Sequence, residues 1–281
     1  ALIQRCYLNS NASCSITSEN GMLGGVAGYN KGTIVHSGDI ITKNVMENVN
    51  EKTTTDELCK VAANNGIESV DGYVGWKDND QIENRDYYYN GTWINVSAGR
   101  LKMMITNNGN IGGITAYNSP VGELEYCVTG KWFINNKSES LGVGTGGIAG
   151  INETEKDMRY LVNQAFVGRQ LSSEQTNRFA GGIIGNQNNS TTENWTIKNC
   201  INYGRVYCYN THYSGGIMGQ WTGNGGTIEG CRNYANLQTT YGADWVGASA
   251  GIVAQLYHAH DNQDYNIIKC DNYGNIYTRY G

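Results

Sequence analysis

Proline is almost missing from this sequence, with Pro120 the single example, and charge is sparse at 16% of residues against a usual quarter. No run of Lys or Arg occurs, and the formal net charge is −5. Nucleic acid and an anionic membrane surface are therefore disfavoured as partners. No apolar stretch approaches the ~18 residues that span a bilayer. Histidine is scarce, with four copies, and no His-Glu-x-x-His zinc-protease signature is present. No two cysteines have Cys-x-x-Cys spacing, which argues against a zinc cluster.

What is abundant points to strands. The 38 glycines and 20 tyrosines, with many asparagines, suit short strands joined by tight turns better than helices. The apolar residues recur periodically, which excludes disorder. One phrase organises the chain: Gly-Gly-Ile-Thr-Ala at 112, Gly-Gly-Ile-Ala-Gly at 146, Gly-Gly-Ile-Ile-Gly at 181, Gly-Gly-Ile-Met-Gly at 215 and Ala-Gly-Ile-Val-Ala at 250. The steps are 34, 35, 34 and 35 residues, the mark of a repeat architecture.

A second phrase follows the first. Ile197, Cys200, Asn202, Tyr203, Gly204 and Val206 match Ile228, Cys231, Asn233, Tyr234, Ala235 and Leu237, and again Ile267, Cys270, Asn272, Tyr273, Gly274 and Ile276. Leu161, Asn163, Ala165 and Val167 form a weaker copy. Gly-Gly-Ile-x-Gly, a loop, then Ile-x-x-Cys-x-Asn-x-Gly-x-Val resembles the glycine-rich GLUG-type repeat of extracellular bacterial surface proteins, among them adhesins and some immunoglobulin-cleaving proteases. The resemblance covers about residues 112 to 281, with a shorter outlier at Gly24 to Ile40. It implies a scaffold and an extracellular location more than a chemistry.

Strands one repeat apart can lie on one another at the ~4.8 Å spacing of paired strands. The fold class expected is all-β, a parallel β-solenoid with coils of about 34 residues. Ile114, Ile148, Ile183, Ile217 and Ile252 then form one interior column. Two residues further on stand Ala116, Gly150, Gly185, Gly219 and Ala254, where only close backbone approach demands so small a side chain. Alternation along the second strand turns Asn163, Asn202, Asn233 and Asn272 inward as an amide ladder, with Tyr203, Tyr234 and Tyr273 stacked outside.

The domain organisation follows from the period. Residues 1 to 23 are read as an arm or cap, 24 to 40 as a shortened first coil, 41 to 111 as an insertion or degenerate coils, and 112 to 281 as the regular solenoid. The insertion carries one helix at 54 to 65, where Thr54 and Glu57 make a capping box and Asn65-Gly66 a left-handed stop. The eight cysteines are an even set without a zinc pattern, which suits secretion with some disulfides. Cys6 with Cys14 is the candidate local bridge, while Cys200, Cys231 and Cys270 share one slot as small apolar filler. Ala1 is not methionine and no signal-like segment follows it, as expected of a mature or trimmed chain. Asn-x-Ser/Thr sequons at Asn11, Asn90, Asn95, Asn136, Asn152, Asn188, Asn189 and Asn194 are candidate glycosylation sites.

Candidate chemistry is thin. His258 and His260 lie two apart near Asp261 and Asp264, but no third ligand stands at metal spacing. Asp78, Asp80 and Glu83 lack the glycine and spacing of a calcium loop. Carboxylate pairs for a polysaccharide-active β-helix enzyme would have to be assembled from Asp244 near Trp245 or Asp71 near Trp76, on fold analogy alone. The reading expected is a non-enzymatic extracellular structural protein with no cofactor. It associates end to end with other copies or belongs to a larger surface protein. A host- or glycan-binding adhesin domain and a polysaccharide-active enzyme are the alternatives.

Overall fold

The computed structural model describes residues 1–9, 14–67, 86–89, 92–95, 103–107, 109–136, 142–169, 179–188, 195–209, 213–241, 248–257 and 264–280. They form a parallel β-solenoid in which every coil contributes short strands to the same set of sheets. In chain order the first face runs from Leu2–Gln4 to Tyr265–Ile268 and holds seven strands. The second is a narrow corner strip from Tyr7–Leu8 to Asp271–Asn272. The third, from Cys14–Thr17 to Ile276–Tyr280, has seven strands. The fourth and fifth, from Met22–Gly24 to Ala248–Ala250 and from Ala27–Asn30 to Val253–Leu256, have six each.

The stacking is residue on like residue. Gly24 pairs with Gly112, Gly112 with Gly146, then Gly181, Gly215 and Ala250. Beside them Ile114, Ile148, Ile183 and Ile217 are fully buried, and each backbone N–H donates to the next isoleucine carbonyl in the column, at 3.0 to 3.1 Å. Ile252, on the last coil, is half-buried. Two further interior columns complete the core: Ile34, Leu124, Met158, Ile197 and Ile228 on the first face, and Ile105, Ile134, Val167, Val206 and Leu237 on the third. A single coil cannot bury these side chains, so the neighbouring coils do.

The described residues among 1–23 depart from the expectation of an arm. Leu2–Gln4 hydrogen-bonds in register with Thr33–Val35, Cys14–Thr17 with Met103–Thr106, and Met22–Gly24 with Asn110–Gly112. They are the first coil itself. Its only repeated phrase is the variant Gly-Gly-Val at Gly24, and the strands before it carry none, which is why the sequence hides them. The 88 residues from Gly24 to Gly112 are then one coil carrying one excursion. The chain leaves after Asp39 and returns on the third face at Met103, so the insertion begins one residue before the expected 41 and ends well short of 111.

Asp39 marks the exit. It occupies the corner slot that asparagine holds in later coils, and its buried carboxylate accepts Trp132 Nε1 at 2.8 Å and the Ile41 N–H at 2.9 Å. That second bond starts a 3-10 turn, Ile40–Thr42, which leads into helix α1, Lys43–Glu47. Helix α2 is Thr55–Asn64, with the capping box of Thr54 and Glu57 in place and Gly66 at φ +73° beyond its end. Both helices lie on the outside of the corner strip. Val45, Met46, Leu58 and Ala62 pack there over Val128, Val162 and Ile201. An antiparallel hairpin pairs Asp86–Tyr89 with Thr92–Asn95.

Candidate functional site

The solenoid turns from its first face into the corner strip through a left-handed residue in every coil: Arg5, His36, Tyr126, Tyr160, Asn199, Gly230 and Lys269, with φ between +48° and +61°. Only one is glycine, so each of the others carries a conformational cost. A cross-coil hydrogen bond offsets it, from Tyr126 N–H to the Arg159 carbonyl at 3.1 Å and from Asn199 N–H to the Glu229 carbonyl at 3.0 Å, for example. The left-handed turn throws these side chains outward into a second stack, where His36, Tyr126 and Tyr160 lie ring on ring at 4.9 and 5.0 Å.

The next slot is the cysteine column. Register along the strip places Cys6, Ser37, Cys127, Leu161, Cys200, Cys231 and Cys270 one above another. Cys127, Cys200 and Cys231 are buried, Cys270 is half-buried and Cys6 is exposed; all five are free thiols. The predicted Cys6 to Cys14 bridge is therefore not formed: Cys6 is the first member of this column, and Cys14 begins a strand on another face. Burial pushes the Cys127 thiol up to about 12. Burial, and then the neighbouring Cys200, raise Cys231. A hydrogen bond with Cys231, and then burial, raise Cys270.

Two residues on lies the amide ladder. Thr129 Oγ1 donates to Asn163 Oδ1 at 2.6 Å, and Asn163, Asn202 and Asn233 each donate through Nδ2 to the Oδ1 of the next coil at 2.7 to 2.8 Å, ending on Asn272. Tyr203, Tyr234 and Tyr273 stack beside it outside the coil, with centroids 5.1 and 4.7 Å apart. They are not an open aromatic stripe, because the insertion covers Tyr203 and half-covers Tyr234. Tyr273 alone of the three is exposed.

Where α2 meets the solenoid, Arg232 joins the two. Its guanidinium reaches Asp56 at 2.6 Å, Asp271 at 3.2 Å and Cys59 Sγ at 3.6 Å. Burial works against its charge, but the hydrogen bonds to Asp56, Cys59 and Tyr234 outweigh this and raise its pKa. Cys59 Sγ also lies 3.5 Å from the Tyr234 hydroxyl. Thr55 Oγ1 bonds Asn199 and the Gly230 carbonyl, both at 2.8 Å. Beside this joint opens a cleft of about 420 Å³, with Glu51, Asp56, Lys198, Glu229 and Lys269 on its walls. Lys198 and Glu229 already pair across it at 3.0 Å. Of these charges, Asp56 ties the insertion to the coils through Arg232, while Lys198 and Glu229 tie one coil to the next.

The remaining sequence candidates divide cleanly. Asn136 and Asn152 are fully buried: Asn136 donates to Thr145 Oγ1 at 2.7 Å, and Asn152 belongs to a second amide ladder running Asn30, Asn118, Asn152, Gln187 at 2.6 to 2.8 Å. Neither can accept a glycan in the folded chain. Asn188 is exposed. Asn11, Asn90, Asn189 and Asn194 lie outside the described residues, as do Asp71, Trp76, Asp78, Asp80, Glu83, Asp244, Trp245, His258, His260 and Asp261; for Asn95 the backbone alone is described. Among the described residues no group of three or more His, Cys, Asp or Glu is placed to hold a metal ion. The second ladder was missed in the sequence although Asn30, Asn118 and Asn152 all stand six residues after the first glycine of their phrase. Trp221 and Leu256 break that slot in the later coils.

No family model matches the chain, and no curated protein matches its sequence. Among solved structures, one titled as a putative immunoglobulin A1 protease from Bacteroides ovatus is similar over 64% of this chain and 60% of its own, with 18% identity and a TM-score of 0.38. The chain thus spans less than two thirds of that structure, and a likeness at this level carries no argument about activity.

Proposed function

We propose that this chain is a non-catalytic scaffold of an extracellular bacterial surface, of the GLUG-repeat kind, whose coils are continued end to end by further copies. The observation that carries the reading is that the first and last coils offer the same columns to the outside. Ile267 and Ile276 on the last coil are 42% and 41% exposed, and they end the columns that begin with the half-buried Ile3 and Ile16 on the first. Leu2 and Tyr29 at one end, and Leu256, Tyr257 and Tyr277 at the other, add exposed apolar surface beside bare strand edges. A copy seated in register would bury each end with the chemistry that buries every interior coil.

Such a joint pairs the first three faces. The fourth and fifth, one strand shorter, leave a slot one strand high on the glycine-rich side. The contact is head to tail and does not close on itself, so it grows linearly. A glycan-binding role draws less support, since the insertion takes Tyr203 and Tyr234 as its own packing surface.

Sedimentation over a concentration series in reducing buffer, with electron micrographs of the same samples, tests the reading. Linear multimers are expected, and Ile267→Lys with Ile276→Lys should return them to monomers. A chain that stays monomeric at every concentration overturns the end-to-end reading.

A further inference from the structure

We propose that Cys270 of one copy and Cys6 of the next form an intermolecular disulfide that locks the end-to-end joint; this inference rests on the stacking reading above. The cysteine column begins and ends in cysteine. Its first member, Cys6, is an exposed free thiol, and its last, Cys270, is a half-buried free thiol on the coil at the opposite end. Register fixes both to the same slot, since Tyr7 pairs with Gly38 at one end and Arg232 with Asp271 at the other, each one residue beyond its column member. The backbone there is held alike. Arg5 and Lys269, the residues just before the two cysteines, both adopt the left-handed corner, at φ +53° and +52°.

A copy stacked in register therefore sets Cys6 one strand beyond Cys270. Paired strands lie ~4.8 Å apart, within the roughly 4.4 to 6.8 Å between Cα atoms that a disulfide accepts. Within one copy, Cys270 has a competing neighbour in Cys231, one coil inward. Cys231 is fully buried, whereas Cys6 is exposed and Cys270 half-buried. An oxidant meets Cys6 and Cys270 first.

The chemistry is thiol–disulfide exchange with a small-molecule disulfide such as oxidised glutathione. The Cys6 thiolate attacks one sulfur of that disulfide, forming a mixed disulfide and releasing one small thiolate. The Cys270 thiolate of the neighbouring copy then attacks the Cys6 sulfur, and the second small thiolate leaves. Two protein thiols are oxidised to one disulfide, and one small disulfide is reduced to two thiols.

The test separates the joint from the bond. First, the reduced 281-residue chain is examined by sedimentation; if it does not self-associate, the stacking reading fails and this inference falls with it. Then oxidised glutathione is added, free thiols are capped, and the products are run on non-reducing gels and digested with trypsin. The expected result is a ladder of multimers that collapses on reduction, with the peptide Cys6–Lys31 joined to Cys270–Arg279. Cys6→Ser alone and Cys270→Ser alone should each abolish the ladder while leaving reduced self-association intact. Mixing the two variants should give covalent dimers and nothing larger, because each brings one half of one joint. Multimers that form when reduced but yield no Cys6–Cys270 linkage, or that yield Cys6–Cys6 or Cys231–Cys270 instead, overturn the inference and leave the stacking reading standing.

Discussion

Asn202 is the place to test whether the amide ladder holds the coils together. Its side chain is fully buried and makes three inter-residue hydrogen bonds: it accepts from Asn163 Nδ2 at 2.8 Å and from the Gly204 N–H at 3.1 Å, and donates to Asn233 Oδ1 at 2.8 Å. Asn202→Ala removes all three. No partner is left alone, because Asn163 Nδ2 keeps the Ala165 carbonyl, Gly204 N–H keeps the Asn163 carbonyl, and Asn233 Oδ1 keeps the Ala235 N–H. At ~0.5 to 1.5 kcal/mol for each net bond, the loss is about 3 kcal/mol. Asn202→Asp keeps the shape and both accepting roles but turns an acceptor toward Asn233 Oδ1. When ionised it also buries a charge without a cation, so its cost at neutral pH should exceed that of alanine, at roughly 3 to 5 kcal/mol.

The two variants then separate with pH. Burial raises the pKa of the introduced carboxyl in the folded state above its unfolded value of about 3.9. The native state therefore binds more protons than the unfolded state between those two values, and stability falls as pH rises through that window. Below it the protonated carboxyl donates to Asn233 and the loss is largely recovered. Urea titrations of the wild type and both variants, followed by one probe at pH 3.5 to 8, measure the differences. An Asn202→Asp chain as stable as wild type at pH 7, or one whose deficit does not shrink on acidification, refutes the ladder as a closed, buried hydrogen-bond chain.

Five other outcomes follow from the same geometry. A Cβ on Gly182 would sit 2.2 Å from both Asn202 Cγ and the Gly216 carbonyl oxygen, so Gly182→Ala should cost about 3 kcal/mol. Gly66→Ala, at a left-handed but open position, should cost only about 1 kcal/mol in the same melts. In the monomeric Ile267→Lys, Ile276→Lys chain, native-state alkylation at pH 8 should modify Cys6 rapidly and leave Cys127, Cys200 and Cys231 untouched until denaturant is added, as peptide mass mapping would read. Arg232→Met should loosen α2 without unfolding the coils, lowering hydrogen-exchange protection over Thr55–Asn64 by about 1 kcal/mol, since both its carboxylate partners are well solvated. Expressed in a glycosylating host, the chain should carry sugar at Asn188 and none at Asn136 or Asn152, by glycopeptide mapping.

Features that repeat with identical chemistry were readable in the sequence, and features fixed by backbone geometry were not. The isoleucine column and the Asn163 to Asn272 ladder each require one residue type at one slot, so the period exposes them. The capping box of α2 is local and equally plain, whereas Lys43–Glu47 is too short to leave a pattern. The left-handed corner is filled by Arg, His, Tyr, Tyr, Asn, Gly and Lys, because a cross-coil hydrogen bond rather than a residue preference holds it. The first coil escaped for a related reason. Strand pairing placed Ile3 and Ile16 in their columns, and a three-residue strand with one apolar side chain has no signature of its own.

The two repeated phrases are one constraint seen from opposite walls. The second glycine of Gly-Gly-Ile faces the ladder across the interior: a Cβ on Gly147, Gly182, Gly216 or Gly251 would strike Asn163, Asn202, Asn233 or Asn272, at 2.2 to 2.4 Å from Cγ. Where the ladder slot holds Thr129 or Leu8 instead, Gly113 and Gly25 meet those side chains at 2.6 and 2.8 Å. Glycine is kept because asparagine fills the space opposite, and asparagine is kept because its carboxamide must bond the coils on either side. Variation is left to the loops and the insertion, where no slot has to match its neighbours.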